Sequence, residues 1–373
     1  MQVTSIQPSA SILPGRRIRV MIVDDSMFVR NIVSRVLGDD PAIEVVGMAV
    51  DGLDAIGKAA ELKPDVVTLD VEMPRMTGLE AIRRIREAWP PVKIIMLSTL
   101  TEAGARVTID ALLNGANDYV PKVDPGSSLL PIPRLKRDLT AKIHQFFPSR
   151  TAVAPAPVLL RPAAMPLLVR PAAVPVTQPL RATKRRRVVA IGVSTGGPSA
   201  LNEVIPALPA SLAVPVLVVQ HMPAMFTRIL AERLNALCPL KVLEATDNMP
   251  VEPGTVLVAP GDYHMRVIRR GGRECIALDQ SAPENSCRPA VDVLFRSVNE
   301  VYGGASVAVV LTGMGQDGYA ATQGLKASGA YVIAQDEPSS VVWGMPGTVV
   351  RAGLANKVVD LKLIAGEILR QFV

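Results

Sequence analysis

Residues 188–198 read VVAIGVSTGGP, a mostly apolar run that passes directly into a glycine turn and a proline. A short apolar run of this kind predicts a buried strand, and Pro198 fits the first position of a helix. A serine between small residues at such a turn projects its hydroxyl beyond the sheet, where the amides at the helix start face a developing anion. The stretch therefore predicts an α/β domain with Ser194 at its functional edge.

Apolar runs alternate with helix-like segments on both sides of this stretch. The predicted strands are Arg19–Val23, Ile43–Met48, Val66–Asp70, Lys93–Ser98 and Asp118–Pro121 in the first half, and Val188–Val193, Val216–Gln220, Thr255–Ala259, Cys275–Leu278, Ala305–Leu311 and Tyr331–Gln335 in the second. The predicted helices include Ala105–Asn114, Leu129–Phe147 and Arg288–Glu300. Two adjacent glycines in the middle of Asp262–Asp279 predict an inserted hairpin. This alternation favours two doubly wound parallel sheets.

Residues 149–187 differ in composition from the chain on either side and predict a linker. They hold seven prolines, eight Lys or Arg residues and no acidic residue. Proline at this density prevents a basic amphipathic helix, which favours a solvated spacer over a docking strip for an acidic partner or membrane surface. Basic and acidic residues number 18 and 18 in residues 1–148, and 14 and 16 in residues 188–373. Neither half carries the positive charge of a nucleic-acid-binding domain.

The composition also excludes several other classes of protein. The three cysteines are odd in number and lack a CxxC pair, so neither a disulfide framework nor a zinc site is indicated. Residues 1–17 contain no apolar core of signal-peptide length, and no apolar run approaches the ~18 residues that span a bilayer. We expect a soluble, cytoplasmic protein with a flexible N-terminus at residues 1–17 and no direct membrane insertion.

Carboxylates follow two predicted strands of the first half. Asp24 and Asp25 end the first strand, and Asp70 ends the third. Because the carboxyl ends of parallel strands meet at one edge, these three side chains are expected to lie together. A hard divalent cation is the simplest remedy for crowded like charges, so a Mg²⁺ site is predicted. Ser98 ends the fourth predicted strand, and Lys122 follows the fifth. They add a hydroxyl and a cation where phosphoryl oxygens would lie.

These positions resemble the receiver domains of two-component response regulators, over about residues 18–147. The matching motifs are Val23-Asp-Asp-Ser26, Leu69-Asp-Val-Glu-Met-Pro74, Gly78, Ser98 and Lys122. The resemblance implies a flavodoxin-like (βα)5 receiver domain at residues 18–148, with Asp70 accepting a phosphoryl group from a histidine kinase. It also implies Ser98 and Lys122 as switch residues and a Mg²⁺ site formed by Asp24, Asp25, Asp70 and the backbone carbonyl of Glu72. Two residues depart from the family pattern: Val123 replaces the usual proline after the lysine, and Thr77 replaces an acidic residue.

A serine hydroxyl is a poor nucleophile until a base removes its proton, and the chain has three histidines. His221 follows the predicted strand Val216–Gln220, which places it at the same sheet edge as Ser194 if the two strands are parallel neighbours. It is therefore the candidate base. His144 lies in the last helix of the first half, where a structural role is expected. His264 lies in the predicted hairpin, where it fits either loop structure or a position near the substrate.

The predicted strand Ala305–Leu311 runs into a glycine-rich loop that contains Asp317. Glycines permit close backbone approach, so this carboxylate is the candidate that orients the base. The chain order Ser, His, Asp differs from that of α/β-hydrolases and indicates a convergent triad. Taken alone, the glycine turn at 192–197 also fits phosphate or dinucleotide binding, which predicts an acidic ribose-binding residue ~20 residues further on. The corresponding strand ends with Gln220, which disfavours this alternative.

The second half resembles the catalytic domain of chemotaxis protein-glutamate methylesterases, the CheB family, over nearly all of residues 188–373. The matching motifs are Ile191-Gly-Val-Ser-Thr-Gly-Gly-Pro198, Val219-Gln-His-Met-Pro223, Phe226-Thr-Arg228, Ala259-Pro-Gly-Asp262, Arg288-Pro-Ala-Val-Asp-Val-Leu-Phe295, Leu311-Thr-Gly-Met-Gly-Gln-Asp-Gly318 and Trp343-Gly-Met-Pro346. Cys287 is a departure, because the family often has a histidine before Arg288.

This resemblance implies a serine hydrolase, a protein-glutamate methylesterase, in which Ser194, His221 and Asp317 form the catalytic triad. The backbone amides of Thr195 and Met314 are the candidates for holding the oxyanion. The implied substrates are γ-glutamyl methyl esters of methyl-accepting chemoreceptors, often with deamidation of receptor glutamines, under control of the phosphorylated receiver in chemotaxis adaptation. No cofactor is expected in the esterase domain, and no nucleic acid as a partner. The alternative is a response regulator with a non-catalytic binding output, which the charge balance disfavours.

Overall fold

The computed structural model describes residues 16–99, 101–122, 132–148 and 185–372. Nearly all of the predicted flexible N-terminus and of the predicted linker lies outside the described residues, and so does Val123. The described residues form two parallel sheets flanked by helices and one antiparallel hairpin of two strands. The predicted α/β architecture of both halves is confirmed. Within these ranges no helix has the length and apolarity needed to cross a membrane.

The first sheet contains five parallel strands: β1 (Ile18–Val23), β2 (Ile43–Ala49), β3 (Val66–Asp70), β4 (Lys93–Ser98) and β5 (Asp118–Pro121). The helices of this half are α1 (Met27–Gly38), α2 (Gly52–Leu62), α3 (Gly78–Ala88), α4 (Glu102–Leu113) and α5 (Ile132–Phe146). The strand order is β2-β1-β3-β4-β5. The connections reverse direction at β1 and β3, so the carboxyl ends of these two strands border the crevice where such sheets bind ligands.

The second half contains the strands β6 (Val188–Val193), β7 (Val216–Gln220), β8 (Lys241–Glu244), β9 (Thr255–Val258), β10 (His264–Arg270), β11 (Arg273–Asp279), β12 (Ser306–Val310), β13 (Tyr331–Gln335) and β14 (Lys357–Val359). Its helices are α6 (Gly197–Val204), α7 (Ala224–Leu237), α8 (Val291–Tyr302), α9 (Tyr319–Ala327), α10 (Met345–Arg351) and α11 (Leu361–Leu369). The parallel strands are ordered β14-β13-β12-β6-β7-β9-β8, and β10 pairs with β11 as the predicted hairpin. Since β6 lies between β12 and β7, the loops after these three strands meet at one edge.

The observed helix bounds differ from the predicted ones for local reasons. Helix α4 begins at Glu102, before the predicted start, because the Thr101 side chain caps it by accepting a hydrogen bond from the Gly104 amide at 3.1 Å. Helix α8 begins at Val291, after the predicted start, where the carboxylate of Asp317 accepts its first amides. The sequence pattern does not predict β8 and β14, because both are short strands at the edges of the sheet and partly exposed.

The two halves pack against each other. One continuous cluster of buried apolar side chains includes Leu112 and Tyr119 of the first half and Phe226 and Leu230 of the second. Helix α4 lies against α6 and α7. The first sheet therefore sits over the carboxyl edge of the second, where the loops after β6 and β7 emerge.

Candidate active site

Ser194 lies in the turn between β6 and α6. Its backbone N–H donates to the Thr312 carbonyl at 3.0 Å, and its carbonyl accepts from the Gly197 amide at 2.8 Å. Gly196 has a φ of +77°, which residues with a side chain rarely adopt. A Cβ atom at Gly197 would collide with the side-chain oxygen of Gln220. The two glycines thus let the turn close tightly and hold Ser194 at the carboxyl edge of the sheet.

His221 and Asp317 meet at the same edge. His221 follows β7, and its backbone N–H donates to the carbonyl of Val193, the residue before Ser194, at 3.1 Å. Asp317 lies in the loop after β12, and its Oδ2 is 2.7 Å from Nε2 of His221. Because β7 and β12 flank β6, the sheet order brings the histidine, the carboxylate and the serine together. Ser194 Oγ makes no hydrogen bond to His221 in this structure, and Nδ1, the ring nitrogen that Asp317 leaves open, lies beside Cys287.

The buried carboxylate of Asp317 is held by several donors besides the histidine. These donors are the backbone amides of Val291, Asp292 and Gly318 and the side-chain amide of Asn285, at 2.6 to 3.0 Å from the carboxylate oxygens. Burial alone would raise the pKa of Asp317, but the hydrogen bonds from His221 and the amides outweigh burial and lower it. The carboxylate is therefore ionised and fixed in one orientation, which in turn orients His221.

The departure at Cys287 places a thiol beside the histidine. Its Sγ lies 3.5 Å from Nδ1 of His221. Burial lowers the pKa of His221, but the hydrogen bonds to Asp317 and Cys287 outweigh burial and raise it to about 9. In this arrangement the ring carries a proton at neutral pH and cannot accept one from Ser194.

Thr195 and Met314 lie in the two loops that approach Ser194. Thr195 is buried, and its hydroxyl donates to Oδ2 of Asp118 at 2.9 Å. The side chain of Met314 is 51% exposed, so it does not fill the site. Its neighbour Gly313 packs so closely that a Cβ there would lie 2.8 Å from the Cβ of Ser194. The part of the loop after β12 that lies next to Ser194 is therefore its backbone.

The other two histidines have structural surroundings. His144 Nε2 is 2.7 Å from Oδ2 of Asp40, which joins α5 to the loop after α1. His264 is fully buried at the start of β10, with Nε2 3.1 Å from the Ala282 carbonyl. Its burial favours a structural role over a position near the substrate, although the residue lies in a strand and not in a loop.

Asp24, Asp25 and Asp70 converge at the carboxyl edge of the first sheet. Each offers one oxygen, and these oxygens lie within 4.8 Å of one another. Lys122 Nζ lies 2.9 Å from Oδ2 of Asp24 and 2.6 Å from Oδ2 of Asp70. Burial raises the pKa of Asp70 to about 6, against the opposing effect of Lys122. Crowded carboxylates that supply hard oxygen donors fit a divalent metal such as Mg²⁺.

Glu72 borders this pocket, and Ser98 lies behind it, where its backbone carbonyl accepts the Lys122 amide at 2.7 Å. Ser98 is buried at the end of β4, and its hydroxyl accepts a hydrogen bond from Oγ1 of Thr108 in α4 at 2.6 Å. Glu72 lines the same cavity as Asp70 and Lys122, and its backbone N–H donates to Oδ1 of Asp70 at 3.3 Å. The pocket is thus connected through Ser98 to α4.

The Thr77 departure has a local explanation. Thr77 caps α3: its hydroxyl accepts from the Glu80 amide at 3.3 Å, and the Glu80 carboxylate accepts from the Thr77 amide at 2.9 Å. This reciprocal pair is a capping box, which satisfies two amides at the helix start. Gly78 follows, where a Cβ atom would collide with the backbone carbonyl of Asp70. The turn after β3 therefore closes tightly without an acidic residue at position 77.

The first half of the chain covers the edge at which Ser194 lies. Asp118, at the start of β5, accepts the hydrogen bond from Thr195 and lies 2.5 Å from the Lys142 ammonium. A cavity of about 70 Å³ remains between the halves, lined by Asp118, Lys142, Ser194, Thr195 and His221 among others. That volume holds about two water molecules and no peptide substrate.

Aromatic and charged contacts also join the two halves. The ring of Tyr119 stacks on Phe226 with 4.6 Å between centroids. Three ion pairs join α4 to α7: Arg106 with Glu232 at 3.2 Å, Glu102 with Arg228 at 3.2 Å, and Asp110 with Arg233 at 2.6 Å. Each pair is partly exposed and contributes little alone, so the buried aromatic and polar contacts dominate. Sequence reasoning missed these residues, because no local pattern shows how two separately patterned sheets pack.

A receiver-type carboxylate pocket on one sheet and a serine edge on the other define a response regulator with an enzymatic output. Residues 20–130 match the family model of the response regulator receiver domain, and residues 189–368 match that of CheB methylesterase. This chain belongs to the CheB methylesterase family and carries a receiver domain ahead of the esterase domain. The resemblance noted in the sequence is confirmed, and a non-catalytic binding output is not favoured.

Similar proteins cover almost the whole chain. The protein-glutamate methylesterase/protein-glutamine glutaminase of Nocardioides sp. is 49% identical over 361 residues, covering 96% of this chain and 96% of that protein. The protein of the same name from Trichodesmium erythraeum is 44% identical over 356 residues, covering 95% and 99%. Among solved structures, the Thermotoga maritima CheB methylesterase catalytic domain is 42% identical, with a TM-score of 0.49 and coverage of 50% of this chain and 98% of that chain.

Proposed function

We propose that this chain hydrolyses γ-glutamyl methyl esters of chemoreceptors, with Ser194 as nucleophile and phosphorylation of Asp70 as control. The observation that supports this most directly is the His221–Asp317 pair, 2.7 Å apart at the edge where Ser194 follows β6. The names of the curated relatives support the substrate class. The proposed domains are a receiver at residues 18–148 and an esterase at 188–373, joined by a linker at 149–187.

In the proposed reaction Ser194 Oγ attacks the ester carbonyl while the imidazole of His221 takes its proton. Asp317 stabilises the imidazolium that forms. The backbone amides of Thr195 and Met314 hold the oxyanion, and such a donor is worth ~10²–10³-fold in rate. His221 then protonates the leaving methanol, and water attacks the acyl-enzyme to release glutamate.

The same intermediate supports deamidation as a second activity. A receptor glutamine gives the same glutamyl acyl-enzyme when its amide nitrogen leaves as ammonia, and His221 supplies the proton that this leaving group needs. The curated relatives carry the glutaminase activity in their name beside the methylesterase activity.

The receiver pocket supports phosphorylation by a histidine kinase. Asp24, Asp25, Asp70 and the backbone carbonyl of Glu72 are the proposed ligands of Mg²⁺, which when bound supplies positive charge for the phosphoryl oxygens. Lys122 adds a second cation beside Asp70, and Ser98 a hydroxyl connected to α4. With chemoreceptors as substrates and a histidine kinase as phosphodonor, the reaction belongs to the cytoplasm.

The packing of the halves supports control by occlusion. With the receiver in place the cavity beside Ser194 has room for water only. Helix α4 and strand β5 carry the covering contacts, and the same two elements connect to the pocket through Ser98 and Lys122. Phosphorylation of Asp70 changes the charge at that pocket and loosens the contacts of α4 and β5 with the esterase domain.

A fragment that begins at Lys184 is expected to hydrolyse methylated receptor about 10- to 1000-fold faster than the unphosphorylated full chain, because an open state of such an equilibrium is populated at about 0.1–10%. Methanol release at equal protein concentration measures this. Equal or lower activity in a fragment with a native circular dichroism spectrum would count against occlusion.

A charge exchange in the intact chain serves as the control for this prediction. Asp110→Arg puts two cations together between α4 and α7 and should raise basal activity. Adding Arg233→Asp restores the opposite pair, 2.6 Å apart in the structure, and should lower activity again. If both variants behave alike, the effect does not come from this contact.

Basal hydrolysis by the full chain is expected to rise with pH, with a midpoint near 9 rather than near the ordinary histidine value of 6.5, because His221 must lose its proton before it can act as base. Since the hydrogen bond to Cys287 is one of the causes that raise this pKa, Cys287→Ala should move the midpoint to lower pH. A profile of kcat/KM against pH for both proteins checks this. An unchanged midpoint in the variant contradicts the role assigned to the thiol.

A further inference from the structure

Residues 284–287 form a two-residue turn at the edge of the candidate active site. The backbone groups of the first and last residue exchange two hydrogen bonds, at 3.0 and 2.9 Å. The central residues Asn285 and Ser286 have φ values of +51° and +62°. Positive φ at both positions is the pattern of a type I′ turn, where asparagine is favoured for its backbone alone. The turn thus explains the residue type at position 285 but not the contacts of its side chain.

The side-chain amide of Asn285 lies between two carboxylates. Its Nδ2 donates to Oδ1 of Asp317 at 2.9 Å and to Oδ2 of Asp292 at 3.0 Å. Asp292 is buried and held from its other oxygen by the Ala321 amide at 2.7 Å, so it is not free to turn toward solvent. The carboxylates of Asp317 and Asp292 both lie within 3.0 Å of the same amide nitrogen, so as anions they repel each other. The amide offers one hydrogen to each.

We propose that Asn285 is a positioning residue of the esterase, which holds the Asp317 carboxylate in the orientation that His221 requires and keeps it apart from Asp292. The inference rests on the proposed catalytic triad and adds a residue that acts through Asp317 rather than on the substrate. It bonds Oδ1 of Asp317, the oxygen that His221 does not use. Among the described residues, Asn285 is the one side chain that bonds both carboxylates.

Other charged and titratable groups face this site from the elements around it. They are Cys287 in the turn, Glu284 with Arg296 of α8, Asp292 of α8, and Asp118 with Lys142 of the receiver. The guanidinium of Arg296 is engaged by the Glu284 carboxylate, with Nη1 2.6 Å from Oε1. The ion pair of Lys142 is with Asp118 of the receiver. Neither cation therefore replaces the Asn285 amide between the two carboxylates.

Two substitutions distinguish the effect of the Asn285 side-chain amide from the effect of the turn conformation. Asn285→Gly keeps the left-handed backbone and removes the donor, which should lower kcat about tenfold with KM unchanged. Asn285→Asp keeps the shape but places a third carboxylate beside Asp317 and Asp292, which should lower kcat about 100-fold at pH 7. Asn285→Gly leaves the negative charge of Asp317 without one of its donors, and Asn285→Asp adds a further negative charge beside it. Both changes therefore favour the protonated form of His221. The acid limb of the kcat/KM profile should therefore move to higher pH, further for aspartate than for glycine.

The test uses the full-length chain with a methylated chemoreceptor fragment, following methanol release as a function of pH. Ser286→Gly is the matched control: it changes the neighbouring turn residue, whose side chain is exposed and makes no hydrogen bond among the described residues, and it should leave kcat and the acid limb unchanged. The proposal is overturned if both Asn285 variants show the same acid limb as the unmodified protein. So would equal losses at every pH accompanied by a lower melting temperature, which indicate a structural role alone.

One further variant distinguishes this inference from the proposed function. If Ser194→Ala keeps its activity in the same assay, the triad itself is wrong. If Ser194→Ala is inactive and Asn285→Gly matches the unmodified protein, only the role of Asn285 fails.

Discussion

Replacing Ser194 with alanine is expected to lower kcat for methanol release from methylated receptor by at least about 10³-fold. The physical reason is that the acyl-enzyme cannot form without the hydroxyl, whereas the fold does not depend on it: the turn is closed by backbone hydrogen bonds to Thr312 and Gly197 and by the glycine at position 196. The melting temperature should stay the same.

The control for this substitution is Ser199→Ala. Ser199 lies on α6, one turn away, and its side chain makes no hydrogen bond among the described residues, so activity should be retained. Both proteins are compared by initial rates of methanol release at saturating substrate. Full activity in the Ser194 variant would refute the assignment of the nucleophile, and with it the proposed mechanism.

Replacing Asp317 with asparagine should have the second large effect, because it impairs the chemical step and also lowers the stability of the folded protein. An amide at this position cannot stabilise a positive His221, and such a change in a serine triad lowers kcat about 10⁴-fold. It also turns a donor toward backbone amides that need an acceptor, those of Val291, Asp292 and Gly318. We therefore expect the free energy of unfolding to fall by about 2–4 kcal/mol.

Two measurements separate these consequences of Asp317→Asn. Single-turnover kinetics report the loss in the chemical step, and denaturant unfolding reports the loss in stability. Asp336→Asn is a suitable control, since Asp336 also follows a strand of the same sheet at its carboxyl edge and accepts a backbone amide, that of Ser339, at 3.2 Å, but forms no hydrogen bond with Ser194, His221 or Asp317. It should cost stability without a comparable change in kcat. If Asp317→Asn lost stability but kept kcat, its role would be structural.

The candidate site could be predicted largely from strand ends. Ser194, His221 and Asp317 each follow an apolar run, and apolar runs of this length predict buried parallel strands whose carboxyl ends share an edge. The same reasoning brought Asp24, Asp25 and Asp70 together. What made these predictions possible is that each residue is positioned by a backbone element with a strong local pattern.

Asn285, Cys287 and Asp118 could not be found in this way. The first two lie in a turn whose pattern indicates only its conformation, and the third is one acidic residue at the start of a strand. Their partners are far along the chain: Asn285 bonds a carboxylate 32 residues away, and Asp118 a hydroxyl 77 residues away. Such contacts depend on how the elements pack, which periodicity does not report.

The sequence by itself therefore determined the two α/β halves and the side chains at the strand ends, because strand periodicity, glycine turns and helix starts are local properties. Only the tertiary structure decided that the first half covers Ser194, that a thiol stands beside Nδ1 of His221, and that an amide separates Asp317 from Asp292. These features arise from packing between distant segments, where close approach and buried charge set the free energy.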